Sequence, residues 1–424
     1  MRTQIAEGMK ANRIVITGLG VVTPIGSGIE KFWERLKAGH NGVAKVTHFD
    51  PSDFSSQMAA EVKDFHVEDW IDRKSAQRMD RFTHFGLACS AMAMKDAGLD
   101  SFAFDGKRAG VIIGSGIGGS ETIDKGYSVL HEKGPNYLNP FFVSKLLINM
   151  CACMVSITFG LKGPLSAPSV ACSTGTNAIG DAFRILQRGE VDIMVAGASE
   201  ASITPLAYGG FCATRSMSRR NDCVEKASRP FDKNRDGFVM GEGAGVVVLE
   251  RLEHALRRRA RIYAELAGYG STADAFHFTA PEPDGSGMVR VMENALRDAD
   301  MKVEDVGHIN AHGTSTVLND KIESAAIMKV FGEHSKNLKV SSIKSMVGHL
   351  MAAAGAVEFV STVMSVHTGI IPPTINYEEP DPECPLDYVT RGAETLDLQA
   401  AITNSFGFGG GNACVAVRKY GNGQ

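Results

Sequence analysis

The sequence predicts an α/β protein built from two similar halves. Short runs rich in Val, Ile and Ala alternate with alanine-rich helical stretches along the whole chain, which is typical of buried strands flanked by helices. The apolar runs of the second half repeat those of the first in the same order, which indicates an internal duplication. Because 44% of the 424 residues are hydrophobic and 22% are charged, the chain has enough apolar material for a large core.

The predicted strands are short and divide between two halves, residues 13–260 and 261–424. Those of the first half lie at residues 13–17, 110–113, 192–196 and 245–250. Those of the second half lie at residues 262–266, 308–310, 339–342, 401–403 and 413–418. Helical signals predict helices at residues 75–97, 177–188 and 351–366.

Five pairs of segments carry the duplication. They are RIVITGLG at 13–20 with RIYAELAGYG at 261–270, VIIGSGIG at 111–118 with HINAHGTST at 308–316, LSAPSVACSTG at 165–175 with LKVSSIKSMVGH at 338–349, DIMVAGASE at 192–200 with AITNSFGFG at 401–409, and GVVVLE at 245–250 with CVAVRK at 414–419. Similar composition alone also produces such likenesses in α/β proteins, so the duplication is a hypothesis at this point. If it holds, equivalent strand ends of the two halves point into one cleft.

Charge, hydropathy and cysteine content exclude several classes of protein. The net charge of −4 argues against a strongly basic nucleic-acid binder or a protein held on anionic membranes. The longest apolar stretch, residues 359–377, contains Pro372 and Pro373 and is a poor membrane span. The first residues show no secretory leader, and the eight cysteines form no CxxC pair. We therefore expect a cytoplasmic protein with no nucleic-acid partner and no membrane insertion.

Cys172 is the strongest candidate nucleophile. It ends an apolar run within SVACSTGTNAIGDAF, residues 169–183, and small residues lead from it into a helix. A sulfur at a helix N-terminus is favoured as the thiolate, and the N–H groups of such a turn can receive a developing oxyanion. A small cysteine buried beneath a helix is the alternative interpretation.

Two histidines occupy matching positions in the second half. His312 follows an apolar strand in INAHGTST, and His349 follows Gly348 in KSMVGHLMAAAGAVE. If the duplication is real, His349 lies near the counterpart of Cys172, and all three side chains point into one cleft. A single histidine at a strand end is more often a structural group, but two at equivalent ends favour a shared site.

Two other motifs have weaker support. GSGIGG at 114–119 follows a strand and spells the GxGxxG of a dinucleotide-binding fold, but residues 133–150 lack the acidic residue that should follow. The run from Asp232 resembles an EF-hand loop, but its twelfth position is Gly243 rather than Glu. A nicotinamide oxidoreductase and a calcium site are therefore poor alternatives.

Five motifs along the chain resemble those of one enzyme family. They are VACSTG at 170–175, RPFDKNRDGFVMGEGAG at 229–245, AHGTST at 311–316, KSMVGH at 344–349 and NSFGFGGGNA at 404–413. In this order they resemble the signatures of the β-ketoacyl synthases of the Cys-His-His type, and the likeness extends over nearly the whole chain. The resemblance implies a thiolase-like fold of five layers, α-β-α-β-α, and a homodimer.

The resemblance also implies an acyltransferase reaction. Cys172 would accept an acyl chain from acyl carrier protein as a thioester, which splits the condensation into two easier steps. Malonyl-carrier protein would then lose carbon dioxide, while His312 and His349 hydrogen-bond its thioester oxygen. This decarboxylative Claisen condensation gives 3-oxoacyl-carrier protein in fatty-acid elongation, and a stand-alone polyketide-type ketosynthase is the alternative. No metal or cofactor is implied, because phosphopantetheine arrives on the carrier protein.

Further residues receive supporting roles from the same resemblance. They are Lys344 and Glu358 for organising the site, Thr314 and Thr316 for the phosphopantetheine arm, Phe408 as gate and oxyanion-hole donor, and Ile117 at the end of the acyl pocket. Arg73, Lys74, Arg78 and Arg215 resemble part of a basic surface that docks the acidic carrier protein. The chain departs from the family at Gln77, where a related synthase has a basic residue, and at Ala352, where glycine is more usual.

Overall fold

The computed structural model describes residues 12–421 and places nine strands of three or more residues in one large sheet. The predicted absence of a leader rests in part on residues 1–11, which lie outside the described residues. The strands are β1 (Ile14–Thr23), β2 (Ala109–Gly114), β3 (Ile193–Glu200), β4 (Gly243–Arg251), β5 (Ala264–Ala273), β6 (His308–Asn310), β7 (Lys339–Ser341), β8 (Ala400–Gly407) and β9 (Gly411–Arg418). Their order in the sheet is β7-β6-β8-β9-β5-β1-β4-β3-β2, and the short strand Leu165–Ser166 lies beyond β2.

Helices cover both faces of this sheet. The longer ones are α1 (Ile29–Lys37), α2 (Arg81–Asp96), α3 (Ser120–Lys133), α4 (Met150–Phe159), α5 (Thr174–Gln187), α6 (Pro205–Ala213), α7 (Ser286–Asp298), α8 (Val317–Phe331) and α9 (Ala354–Thr368). Short helices lie at Arg73–Ala76, Phe142–Leu146, Leu252–Arg257 and Lys344–Val347. Short strands lie at Gly26–Ser27, Ala44–Lys45, Met58–Ala60, Met240–Gly241, Ile370–Ile371 and Glu394–Thr395. Within the described residues, no helix has the length and apolarity needed to cross a membrane.

The two halves of the sheet have the same strand order and directions. In the first half, β4 pairs antiparallel with β1 and β3, and β2 runs parallel to β3 and to Leu165–Ser166. In the second half, β9 pairs antiparallel with β5 and β8, and β6 runs parallel to β8 and β7. The duplication is therefore confirmed, and antiparallel pairing of β1 with β5 joins the halves into one continuous sheet.

Matching glycines show how closely the halves correspond. Gly20 on β1 faces α2 so closely that a Cβ atom would overlap the carbonyl oxygen of Cys89. Gly270 on β5 faces α7 in the same way, and a Cβ atom there would overlap the carbonyl oxygen of Val291. Each half therefore needs glycine where its outer helix crosses its first strand, which explains the likeness of the two opening motifs.

The elements form the predicted layers. α2 and α4 cover the outer face of the first half, and α7 and α8 cover that of the second. α5 and α9 pack against each other and contact strands of both halves, so they form the middle layer. Three hydrophobic clusters fill the spaces between the layers, and the largest surrounds the two central helices.

Two predicted helices differ from those observed. The predicted helix at 75–97 is interrupted between Ala76 and Arg81, because Asp80 turns its carboxylate to Thr122 and accepts its N–H at 2.9 Å and its hydroxyl at 2.5 Å. The helix predicted at 351–366 begins with a 3₁₀ turn and becomes an α-helix only at Ala354. Both interruptions depend on contacts between distant segments.

Candidate active site

Cys172 lies at the turn that leads into α5. The preceding Ala171 has a φ of 46°, a left-handed conformation that is costly for a residue with a Cβ atom. The hydroxyl of Thr174 accepts the Val170 N–H at 2.7 Å and donates to the Ala171 carbonyl at 2.8 Å. A strained and well-bonded turn therefore holds the sulfur at the N-terminus of a helix.

His349 approaches this sulfur from the second half of the chain. Its Nε2 atom lies 3.1 Å from Cys172 Sγ. The His349 N–H donates to the Val239 carbonyl at 2.7 Å, and the Gly241 N–H donates to the His349 carbonyl at 2.8 Å. The backbone of His349 is thus fixed against the first half, where Cys172 also lies.

His312 completes a compact group with these two residues. Its ring centroid lies 5.4 Å from that of His349, with the rings nearly perpendicular. One nitrogen of each imidazole and the sulfur of Cys172 all lie within 4.8 Å of one another, and the three residues are buried. The structure therefore brings together the three side chains that the sequence analysis singled out.

Two carboxylates that the sequence analysis did not single out hold the loop that carries His312. Glu323 accepts the N–H groups of His312 and Gly313, both at 2.8 Å. Asp320 accepts the next two N–H groups of the loop, at 3.0 and 3.1 Å. Both acids lie in the first two turns of α8, and their spacing of three residues directly after the AHGTST loop is the signal that could have revealed them.

Lys344 sets the tautomer of His312. Its Nζ atom lies 3.3 Å from His312 Nδ1, donates to the His312 carbonyl at 2.5 Å, and forms a buried ion pair with Glu358. Because an ammonium group only donates, Nδ1 of His312 must be the unprotonated nitrogen. The ring proton of His312 therefore lies on Nε2.

Both imidazoles of this group are neutral. Burial lowers the pKa of His312 well below its ordinary value, and the charges of Lys344 and His349 lower it further. Burial, and then the charge of Lys344, lower the pKa of His349 in the same way. Nδ1 of His349 has no hydrogen-bond partner among the described residues, so no neighbour fixes its tautomer. His349 Nε2 can therefore either accept or donate a proton.

The thiol of Cys172 is also neutral at rest. Burial raises the pKa of the Cys172 thiol to about 11, while the charge of Lys344 and the backbone N–H of Phe408 oppose the rise. Burial therefore outweighs the preference for the thiolate that we expect from the helix N-terminus. The sulfur must lose its proton as it reacts, and His349 Nε2 is the acceptor within reach.

A cavity of about 330 Å³ opens onto the three side chains. Of the predicted site residues, Cys172, His312, His349, Thr314, Thr316 and Phe408 line it. The hydroxyls of Thr314 and Thr316 lie 2.8 Å apart on one wall, and the Phe408 N–H hydrogen-bonds the Cys172 sulfur. Gly409 and Gly410 follow Phe408 with φ angles of 82° and 75°, which glycine adopts without strain.

Ile117 lies away from this cavity, in the turn between β2 and α3. The turn has the strand-to-helix position of a dinucleotide-binding loop, but the Gly116 N–H donates to the buried Glu200 carboxylate at 2.7 Å, and the Ile117 N–H donates to it as well. A carboxylate therefore occupies the place that a pyrophosphate would take, which agrees with the rejection of that alternative.

The basic residues are divided between two surfaces of this chain. Arg215 lies at the mouth of the cavity. Arg73, Lys74 and Arg78 are exposed on and beside the short helix Arg73–Ala76, and Arg78 lies over the Phe141 ring at 5.0 Å, beside a second, smaller cavity. Within one chain, the structure does not bring these three residues to the mouth.

The sulfur and the two imidazoles also have the donor types of a zinc site. The structure opposes a cation there, because the Lys344 ammonium lies 3.3 Å from His312. The charged Lys344 instead suits a site where negative charge develops during a reaction.

Comparisons with known proteins agree with this geometry. The family models described as "Beta-ketoacyl synthase, N-terminal domain" and "Beta-ketoacyl synthase, C-terminal domain" match residues 11–255 and 263–378. The chain is 48% identical over 412 residues to a 3-oxoacyl-[acyl-carrier-protein] synthase 2 of Synechocystis sp., covering 97% of this chain and 99% of the relative. It is 49% identical over 408 residues to the protein of that name in Staphylococcus aureus, covering 96% and 98%.

Solved structures have the same fold. A ketosynthase of a type II polyketide synthase, in complex with its acyl-carrier protein, superposes with a TM-score of 0.90 at 35% identity, over 97% of this chain and 100% of that one. A β-ketoacyl synthase from Burkholderia phymatum gives the same TM-score, identity and coverage. With family models that match most of its length and relatives nearly half identical over almost all of it, this chain belongs to the β-ketoacyl synthase family.

Proposed function

We propose that this chain is a fatty-acid-elongating 3-oxoacyl-[acyl-carrier-protein] synthase that uses Cys172, His312 and His349 as its reacting groups. The observation that carries the proposal is the buried cluster of one thiol and two neutral imidazoles, with Sγ and Nε2 3.1 Å apart, at the end of a cavity of about 330 Å³. The reaction is a decarboxylative Claisen condensation in two half-reactions.

In the first half-reaction, the acyl chain moves from the carrier protein to Cys172. The sulfur attacks the acyl thioester carbonyl, and its proton passes to His349 Nε2. The backbone N–H groups of Cys172 and Phe408 stabilise the developing oxyanion. The intermediate collapses by breaking the bond to the phosphopantetheine sulfur, which takes the proton from His349 and leaves as a thiol. An acyl-cysteine thioester remains.

In the second half-reaction, malonyl-carrier protein occupies the cavity. Its carboxylate leaves as carbon dioxide, and the electron pair of the broken carbon–carbon bond forms an enolate on the thioester. The Nε2–H group of His312 donates to the enolate oxygen, and so does that of His349 after its ring proton moves from the unpartnered Nδ1 to Nε2. The enolate carbon then attacks the acyl-cysteine carbonyl, and expulsion of the Cys172 thiolate gives 3-oxoacyl-carrier protein. Proton uptake restores the thiol.

The supporting residues position these groups. Lys344, paired with Glu358, keeps the proton of His312 on the nitrogen that faces the substrate. Thr314 and Thr316 line the cavity on the path of the phosphopantetheine arm, and no cofactor beyond that arm is needed. Phe408, followed by two glycines with positive φ, is the gate that moves when Cys172 is acylated.

Ile117 and the first-half turn form the acyl-pocket wall in this proposal, and the basic residues dock the carrier. Arg215 lies at the cavity mouth, where it can pair with an acidic carrier protein, and a structural relative is a ketosynthase bound to its acyl-carrier protein. We assign the remaining basic residues, on and beside the short helix Arg73–Ala76, to the same partner.

We also propose a homodimer. The strand Leu165–Ser166 forms one edge of the sheet in the described chain, and apolar side chains are exposed near it. Ile157 on α4 is 70% exposed, although Cys151 and Val155 on its other face are buried. A second copy is the partner that an isologous edge of this kind fits.

The division into halves at residues 13–260 and 261–424 and the cytoplasmic location are further parts of the proposal. All eight cysteines are free thiols, which suits a reducing compartment. A stand-alone polyketide ketosynthase remains the alternative function. The polyketide ketosynthase is 35% identical in sequence to this chain, whereas the 3-oxoacyl-[acyl-carrier-protein] synthases 2 are 48–49% identical.

Single-turnover assays on purified protein test this proposal. Cys172→Ala should abolish transfer of radiolabelled acyl groups to the protein, whereas Cys153→Ala, at a half-buried cysteine on α4, should leave it unchanged. His312→Ala should slow malonyl-carrier decarboxylation about 100- to 1000-fold but preserve acylation. His349→Ala should slow both half-reactions. Acylation or condensation by Cys172→Ala at the wild-type rate would refute the mechanism.

A further inference from the structure

Glu200, at the end of β3, is a buried carboxylate that the proposed mechanism does not use. It has no exposed surface, and it accepts the Gly116 N–H at 2.7 Å, the Ile117 N–H and the Ser115 hydroxyl at 3.4 Å. It also accepts the N–H of Ala352, which belongs to the other half of the chain. One carboxylate therefore binds two segments that are more than 230 residues apart.

These two segments lie on opposite sides of the proposed reaction. The first is the turn that carries Ile117, and the second is the 3₁₀ turn that begins two residues after His349. They also lie close together, since a Cβ atom added to Gly116 would be 2.8 Å from Glu200 Oε2 and 3.4 Å from the Cβ of Ala352. A shift of the first turn therefore reaches the second through Glu200.

We infer that Glu200 is a positioning residue that couples the acyl-pocket wall at Ile117 to the segment that carries His349. The inference rests on the proposed function, because it uses Ile117 as the wall of an acyl pocket. It predicts that the length of the acyl chain affects the position of His349. A chain that displaces the wall therefore also changes the rate of condensation.

The second half uses the same device at the equivalent place. The loop after β6, the counterpart of the turn after β2, is held by Glu323, which accepts the N–H groups of His312 and Gly313. In both halves a buried carboxylate thus binds two consecutive N–H groups just beyond equivalent strands. Burial raises the pKa of both Glu200 and Glu323 to about 7, and the backbone N–H groups that they accept oppose the rise.

Glu200→Gln tests the coupling with almost no change in volume. A glutamine offers one acceptor oxygen, and its NH₂ group faces backbone donors, so one of the two turns must lose its hydrogen bonds. We expect the ratio of kcat/KM between the longest and shortest acyl-carrier substrates accepted by the wild type to change about tenfold.

Glu250→Gln is the matched control. Glu250 is equally buried and accepts the Thr17 hydroxyl at 2.5 Å, but it pairs with Ile193 at the other end of β3. Seven residues of strand separate that end from Glu200, a distance of about 23 Å. The control should lose stability without changing the preference for chain length.

Gly116→Ala tests the same coupling from the other side, because its Cβ atom would press on Glu200 and Ala352. It should shift the chain-length ratio in the same way, and it decides the question if Glu200→Gln does not fold. An unchanged ratio in folded Gly116→Ala or Glu200→Gln protein, or an equal shift in Glu250→Gln, would overturn the inference. A wild-type protein that condenses no acyl-carrier substrate would instead overturn the proposed function.

Discussion

Replacement of Lys344 by methionine should separate its effect on stability from its effect on the reaction. Lys344 and Glu358 are 1% and 2% exposed, so the substitution leaves the Glu358 carboxylate buried without its ion-pair partner. Breaking one side of a buried pair costs about 3–5 kcal/mol of unfolding free energy, a large part of the roughly 5–15 kcal/mol that holds a typical domain folded. Denaturant unfolding monitored by circular dichroism measures this loss.

The same substitution should also slow malonyl-carrier decarboxylation. Without the Lys344 ammonium 3.3 Å from Nδ1, that nitrogen can carry the ring proton of His312, and the donor to the enolate oxygen is lost in part of the molecules. Loss of one such donor costs about 100- to 1000-fold in rate, so we expect a decrease of at least about tenfold. A decarboxylation assay with malonyl-carrier protein measures it, under conditions where the variant is folded.

A double substitution, Lys344→Met with Glu358→Gln, distinguishes the two effects. It removes both charges, so most of the lost stability should return. The decarboxylation rate should stay low, because Nδ1 of His312 still lacks its donor. If the double variant recovers both stability and rate, or if Lys344→Met alone decarboxylates at the wild-type rate, then Lys344 does not set the tautomer of His312.

Three further predictions concern pH, metals and the duplicated glycines. The unfolded chain loses the Cys172 proton near pH 9, whereas the folded chain holds it to about pH 11, so this thiol favours folding less as pH rises between these values. Cys172→Ala should therefore reduce the alkaline loss of stability by about 2–3 kcal/mol at pH 11, measured by denaturant unfolding. EDTA should leave condensation unchanged in a coupled assay, because the Lys344 ammonium opposes a cation beside the sulfur and the imidazoles; loss of activity with EDTA would indicate a required metal. Gly20→Ala and Gly270→Ala should each lower the unfolding free energy by about 1–3 kcal/mol, and a large effect at only one site would contradict their equivalence.

The strands and the three side chains of the buried cluster could be predicted because their signals are local. Cys172 and His349 each follow a short apolar run and precede a helix, and the repeated order of those runs placed them in matching positions. The shared pairing of β2, β3 and β4 with β6, β8 and β9 depends on that same repetition. Periodicity and small-residue turns involve only a few neighbouring residues, so they can be recognised without knowledge of the fold.

The remaining features depend on contacts that no local pattern records. Glu200 accepts a hydrogen bond from Gly116 across 84 residues of sequence, and Asp80 accepts one from Thr122 across 42. The sequence therefore indicated neither the carboxylate that binds the Ile117 turn nor the break in the predicted helix. The net effect on the Cys172 thiol could not be predicted for the same reason. The helix N-terminus can be read from the sequence, but the burial that raises the pKa of the thiol cannot.

The duplication also explains why this protein has one composite site rather than two. Equivalent strand ends bring Cys172 and His349 face to face, because the two halves join through β1 and β5. At the next equivalent pair of ends, however, the second half presents His312, whereas the first half presents Gly116 and Ile117. Each of these loops is bonded to its own buried carboxylate, but Glu200 comes from the end of β3 and Glu323 from α8, so different elements support the two loops. The proposed acyl-pocket wall therefore lies at the place in the first half that corresponds to His312 in the second.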